Sequence, residues 1–281
     1  MDSGIISSTT SGGWTEGDID VDGVGVHFHR AGTRAKPALV LAHGLSDSGR
    51  CWARVAAALG EHFDIVMPDA RNHGQSDTAA TSPDRLAGDV EALIIALGLR
   101  RPTLMGHSLG AHTMALCAAR RPELVSKLVL EDPPWAASHE HRVDTSSAAR
   151  RDEVRAWLGS FVHLSYDEIA AAGRRQHGNW HDVEIPAWVE SNRQVRVKAA
   201  DGLTFDAWGT TASNLSCPTL LVHGEDALGG LVTGAVATRV AELNPHITCT
   251  LIDRAGHNVR RENFERYIDV VTRFLRNEQP S

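Results

Sequence analysis

The segment Pro102-Thr103-Leu104-Met105-Gly106-His107-Ser108-Leu109-Gly110-Ala111-His112 decides how the rest of the chain is read. Its first half is a short apolar run with strand character, and helical periodicity starts at Ser108 and continues to about Arg120. A serine at such a junction is held out of the chain on a tight strand-to-helix turn. Crowding there demands small residues two before and two after it, and Gly106 and Gly110 fill those places. A serine hydroxyl is a weak nucleophile that needs a base, so Ser108 is a candidate nucleophile only if a histidine and an acid can reach it.

Working outward, Ala38–Ala42 is a continuous apolar run, as expected of a strand buried on both faces, and Phe63–Met67, Val125–Leu130, Thr219–Val222 and Ile247–Ile252 read as further strands. Helical patterns fall between them at 52–59, 84–97, 231–243 and 259–275, and Val21–Arg30 reads as a hairpin around Gly23 and Gly25. This alternation predicts an α/β fold: a mostly parallel sheet of about eight strands flanked by helices. Residues 136–213 break the rhythm, being helical and polar, and read as an inserted helical cap. The core domain is then 18–135 and 214–281, and the Ser/Thr/Gly-rich 1–17 is expected to be a flexible tail.

The 281 residues carry a net charge of −7, with 42% hydrophobic residues, and no apolar run is long enough to span a bilayer. These features point away from nucleic acid and membrane partners, toward a cytoplasmic enzyme, monomer or homodimer, acting on a small molecule. The four cysteines are scattered and read as free thiols. His139-Glu140-His141 lacks metal-ligand spacing, so no metal and no cofactor is expected.

The base is expected late in the chain, and His257 stands in a Gly-flanked loop after the strand at 247–252. His43-Gly44-Leu45 follows the first buried strand; the main-chain N–H groups of Leu45 and Leu109 are the expected oxyanion donors, with His43 shaping the turn.

Together, His43-Gly44, Asp69-Ala70-Arg71-Asn72-His73-Gly74-Gln75-Ser76, Gly106-His107-Ser108-Leu109-Gly110 and Gly256-His257 resemble the α/β-hydrolase superfamily over residues 20–276. The resemblance implies a Ser-His-acid hydrolase with a lid, and makes 69–76 a structural turn. In the common pattern of that family the acid stands three residues after a glycine beyond the cap; here that residue is Ala227. Asp226 or Glu225 could substitute. A second pattern puts the acid directly before the cap, where Asp132, neighboured by Glu131 and rigidly followed by Pro133 and Pro134, is the preferred candidate.

A serine at 108 argues against the epoxide and halide chemistries that use an aspartate nucleophile in relatives. The expected reaction is cleavage of an ester, lactone or amide through an acyl-enzyme. Hydrolysis of a C–C bond in a β-diketone, or ligand reception without turnover, are the alternatives. Trp135, Trp157, Phe161 and Trp188 are the candidate walls of an apolar or aromatic pocket, and a cap arginine could meet a substrate carboxylate.

Overall fold

The computed structural model describes residues 5–11, 13–135, 148–201, 203 and 208–277. The chain forms β1 (Ile5–Ser11), β2 (Trp14–Val21), β3 (Val24–Ala31), β4 (Ala38–Ala42), α1 (Ala53–Leu59), β5 (Asp64–Pro68), α2 (Pro83–Ala96), β6 (Thr103–His107), α3 (Leu109–Arg120) and β7 (Lys127–Glu131). The cap follows as α4 (Ala148–Ser160), α5 (Tyr166–Gln176), α6 (Ile185–Gln194) and α7 (Trp208–Ser213). The core resumes with β8 (Thr219–His223), α8 (Gly234–Leu243), β9 (Ile247–Leu251), α9 (Val259–Glu262) and α10 (Phe264–Arg276).

The strands lie in the order β1-β2-β3-β5-β4-β6-β7-β8-β9, nine among the described residues against the eight or so expected. The six from β5 to β9 run parallel, and β1 to β3 are antiparallel. Alternation along each strand divides the core into two layers. Val40 and Ala42 of β4 face α2, α3 and α8, whereas Leu39 and Leu41 face α1 and α10. Each fully buried aliphatic side chain contributes roughly 1.5–3 kcal/mol to these layers.

The ninth strand comes from the segment expected as a loose tail. Residues 5–11 pair antiparallel with β2, which itself begins at Trp14. Composition there signals coil, but the β-branched Ile and Thr residues suit a strand, and the open edge of β2 offers unpaired main-chain groups. The β2–β3 hairpin turns at Asp22 and Gly23, both at positive φ (52° and 82°), the geometry an Asp-Gly pair favours. The single helix expected over 259–275 is broken at Asn263, whose non-helical backbone (φ −138°, ψ 69°) separates α9 from α10. Among the described residues no helix is long and apolar enough to cross a membrane.

The cap docks through two seams. Leu158, Val195, Ala199 and Ala200 meet Leu86 and Leu109 of the core in an apolar seam. On the other side, Ser191 of α6 bonds to Ser48 (2.8 Å) and Cys51 (3.2 Å).

Candidate active site

Parallel α/β sheets gather function at the carboxyl ends of their strands. Here β4 delivers His43, β6 delivers Ser108, β7 delivers Asp132, and the loop after β9 delivers His257. The turn at Ser108 is strained, with φ 53° and ψ −118° on a non-glycine residue, at a cost of order 1–3 kcal/mol. It exists because its neighbours have no side chains. A Cβ on Gly106 would stand 2.5 Å from the Gly110 carbonyl, and one on Gly110 would stand 2.3 Å from the Ala42 oxygen. The same crowding governs the histidine loop, where a Cβ on Gly256 would stand 2.1 Å from the Leu228 oxygen.

Asp132 is fully buried, and its carboxylate is saturated. Oδ1 accepts from Val232 N at 3.0 Å; Oδ2 accepts from Leu231 N at 2.8 Å and lies 2.6 Å from His257 Nδ1. A carboxylate held by two peptide N–H groups is fixed in place. Asp226 is exposed, and Glu225 accepts from Arg254 N at 2.6 Å. Glu131 points the other way, onto Arg260.

His107 joins the nucleophile turn to the histidine loop. Its Nε2 donates to the His257 carbonyl at 3.0 Å, and the two rings lie 4.7 Å apart. Burial, reinforced by Arg260, holds His107 well below the usual imidazole range, so it is neutral with its proton on Nε2. Its unprotonated Nδ1 has no hydrogen-bond partner among the described residues and lies under Gly44, where a Cβ would approach to 2.8 Å. Ser108 Oγ makes no hydrogen bond among the described residues, a loose geometry common in unliganded sites. The N–H groups of Leu45 and Leu109 likewise donate to no other group there, leaving two main-chain donors available beside the turn.

The Leu45 peptide is braced from behind. His73 Nε2 lies 2.7 Å from the Leu45 carbonyl, and burial, with His43 beside it, pushes His73 down to about 4. His43 bonds to the Gly44 carbonyl (2.8 Å) and accepts from Ala70 N (3.0 Å), the turn-shaping part expected of it. Asp69 accepts from Gly49 N and Gln75 N, and Arg71 pairs with buried Asp89, so the 69–76 segment is held as a turn. The cavity behind Leu109 and Gly110 has a volume of ≈ 30 Å³, room for about one water rather than a substrate.

A buried ionic chain links these loops, and it was not legible in the sequence. Glu131, next to Asp132, accepts from Arg260 N at 2.9 Å and pairs with its guanidinium at 3.2 Å. Arg260 reaches Asp47 at 2.8 Å, Asp47 meets Arg261 at 2.9 Å, and Arg261 meets Glu184 of the cap at 3.4 Å. Burial pushes the Asp47 carboxyl up, but Arg261 and Arg260 more than reverse this and hold it below the carboxylate range. Trp52 under Arg260 (4.3 Å) and Trp180 under Arg261 (4.4 Å) complete the packing of the two cations. Asp47 is in the loop after β4 and Arg260 follows His257 by three residues, so one chain of charges ties the His257 loop, Glu131 beside Asp132 and the cap together. Nothing in the local pattern of Arg260-Arg261 marks them as buried; their acidic partners come from three other segments.

The candidate aromatic walls are placed as follows. Trp135 is fully buried, stacks on Trp208 at 5.7 Å, and donates to His112 Nδ1 at 3.2 Å. Phe161 and Trp188 belong to the cap's own core with Trp180 and Ile169, and half-exposed Trp157 lies edge-on to Phe161. Of the cap arginines, Arg155, Arg174 and Arg193 pair with acids at the surface. Arg142 and His139-Glu140-His141 lie outside the described residues.

Residues 37–262 match the model of the α/β hydrolase fold family. The chain belongs to that family. It is 26% identical to N-formylmaleamate deformylase of Pseudomonas putida, over 92% of this chain and 96% of that one. It is 25% identical to 2-(acetamidomethylene)succinate hydrolase of Mesorhizobium japonicum, over 92% and 94%. An uncharacterized protein of Mycobacterium tuberculosis is 36% identical over 91% of this chain and 81% of its own. Among solved structures, an E-2-(acetamidomethylene)succinate hydrolase superposes with a TM-score of 0.79 at 22% identity, covering 94% of this chain and 99% of that one, a likeness of fold.

Proposed function

We propose that this α/β hydrolase is a serine hydrolase that cleaves an amide, ester or lactone bond of a small, partly apolar molecule through an acyl-enzyme. The observation that carries the reading is the 2.6 Å contact of His257 with a buried, doubly anchored Asp132, beside a serine on a strained turn. Ser108 Oγ attacks the carbonyl carbon while its proton passes to His257 Nε2. The oxyanion forms toward the free N–H groups of Leu45 and Leu109. Asp132 stabilises the imidazolium, which returns the proton to the leaving nitrogen or oxygen, and water then clears the acyl group by the same steps.

Two of the relatives named above, a deformylase and a 2-(acetamidomethylene)succinate hydrolase, support amides as the first substrates to try. The test is turnover of p-nitrophenyl acetate and of a panel of small N-formyl and N-acetyl amides. Ser108→Ala is expected to abolish all of it and to block labelling by a fluorophosphonate. Turnover that survives Ser108→Ala, or tight ligand binding without any acyl turnover, overturns the proposal.

A further inference from the structure

His27-Phe28-His29 takes no part in the site above. Alternate residues of a strand face the same way, so both rings project from one face of β3. The β2–β3 register sets Asp18 opposite His27 and Glu16 opposite His29. His27 Nδ1 lies 2.9 Å from Asp18 Oδ1, His29 Nδ1 lies 3.0 Å from Glu16 Oε1, and the two ring centroids are 4.8 Å apart. One ligand atom each from Glu16, His27 and His29 falls within 4.8 Å of the other two. Asp69 adds a third carboxylate, 3.8 Å from His29 Nε2. Both histidines and Asp69 are buried, and Glu16 is largely so. Arg50 touches Glu16 at 3.4 Å from an exposed position. Three carboxylates thus surround two imidazoles in a place that is buried at His27, His29 and Asp69 and open to water at Asp18, and Gln75 Nε2 lies 3.1 Å from His27 Nε2.

We propose that Glu16, His27 and His29 bind a divalent transition-metal ion, with zinc the best match to two imidazoles and a carboxylate. Bonds of about 2.0–2.1 Å set tetrahedral donors roughly 3.3 Å apart, so the cluster closes by side-chain rotations of about 1 Å. Asp18 and Asp69 then act as the outer carboxylates that orient each ring. The His-x-His pair comes from one strand and the carboxylate from its neighbour, a pairing that strand register makes and no local sequence spacing marks. Strands β5 and β4 separate β3 from the serine-bearing β6, so the ion clamps the β2–β3 hairpin to the 69–76 turn and takes no part in acyl transfer.

The test is calorimetric titration of the EDTA-stripped full chain with zinc chloride, repeated with cobalt(II) to read a visible absorption band. Wild type is expected to bind one ion per chain and to melt at higher temperature with zinc. His29→Ala and the shape-conserving Glu16→Gln are each expected to lose at least about tenfold in affinity and the melting shift, a scale set by the effect of outer-sphere partners alone. Both are expected to keep the Ser108-dependent esterase rate, which separates loss of the ion from loss of the fold. Absence of saturable binding to wild type overturns the proposal. So does unchanged affinity in Glu16→Gln, which would assign the ion to others among the 15 histidines.

Discussion

Replacing Asp132 by asparagine probes the acid assignment through hydrogen-bond arithmetic. The carboxylate accepts two peptide N–H groups, one on each oxygen, and His257 shares Oδ2 with Leu231. An amide has one acceptor oxygen, so the side chain must choose. With its oxygen toward Leu231 and His257, the imidazole keeps its tautomer, but the NH2 group faces the Val232 N–H. Turned over, it satisfies Val232 and opposes Leu231, and its NH2 donates to His257 Nδ1, which puts the imidazole proton on Nε2, where it cannot take a proton from serine. Either way one buried donor is orphaned, costing about 1–3 kcal/mol of stability. Either way the charge that stabilises the imidazolium is gone. The expected loss in kcat is ~10³–10⁴, about 4–5.5 kcal/mol of barrier, with KM nearly unchanged. The assay is p-nitrophenyl acetate kinetics paired with urea unfolding. Asp226→Asn, at an exposed site, is the control, expected within about twofold of wild type. A rate within about tenfold of wild type for Asp132→Asn, with a large loss for Asp226→Asn, would refute the assignment.

Other outcomes follow from the same geometry. Gly110→Ala, forcing a Cβ to 2.3 Å from the Ala42 oxygen, is expected to destabilise by about 2 kcal/mol or more and to abolish turnover, read by thermal melting and kinetics. Glu131→Gln leaves the buried Arg260 undercompensated and is expected to cost about 3–5 kcal/mol in chemical unfolding; a loss under about 1 kcal/mol would show the ionic chain is not coupled as described. Burial pushes His112 down to about 4, and burial with His43 does the same to His73. Their unfolded value is near 6.5, so between about pH 6.5 and 4 the unfolded chain binds more protons and stability falls as pH falls, by up to about 3 kcal/mol per histidine. Urea midpoints measured across that window should show the slope, and His112→Gln should remove roughly one proton's worth of it; an unchanged slope in that variant counts against the account.

The sequence showed the sheet and the serine turn because both rest on local rules. A strand buried on two faces must be apolar throughout, as Ala38–Ala42 is, and the turn at Ser108 tolerates no side chain at Gly106 or Gly110. Asp132 could be nominated because Ala227 occupied the alternative place, but its anchors, the N–H groups of Leu231 and Val232, are 99 and 100 residues away. The N-terminal strand was missed because its pairing partner, not its composition, makes it a strand. Arg260 and Arg261 were missed for a related reason: arginines normally seek water, and only Glu131, Asp47 and Glu184, drawn from three distant segments, make their burial tolerable.

The cap's two seams differ in what separation costs. Parting Leu158 and Val195 from Leu86 and Leu109 exposes apolar surface at about 25 cal/mol per Å², a cost that grows with the area opened. Parting Glu184 from Arg261 would strand buried charges at several kcal/mol per ion. The cap is therefore tied to the core by charge at Glu184 and by apolar packing at Leu158 and Val195. The charged tie ends on Arg261 in the short helix that follows His257, so the cap and the histidine loop share one anchor.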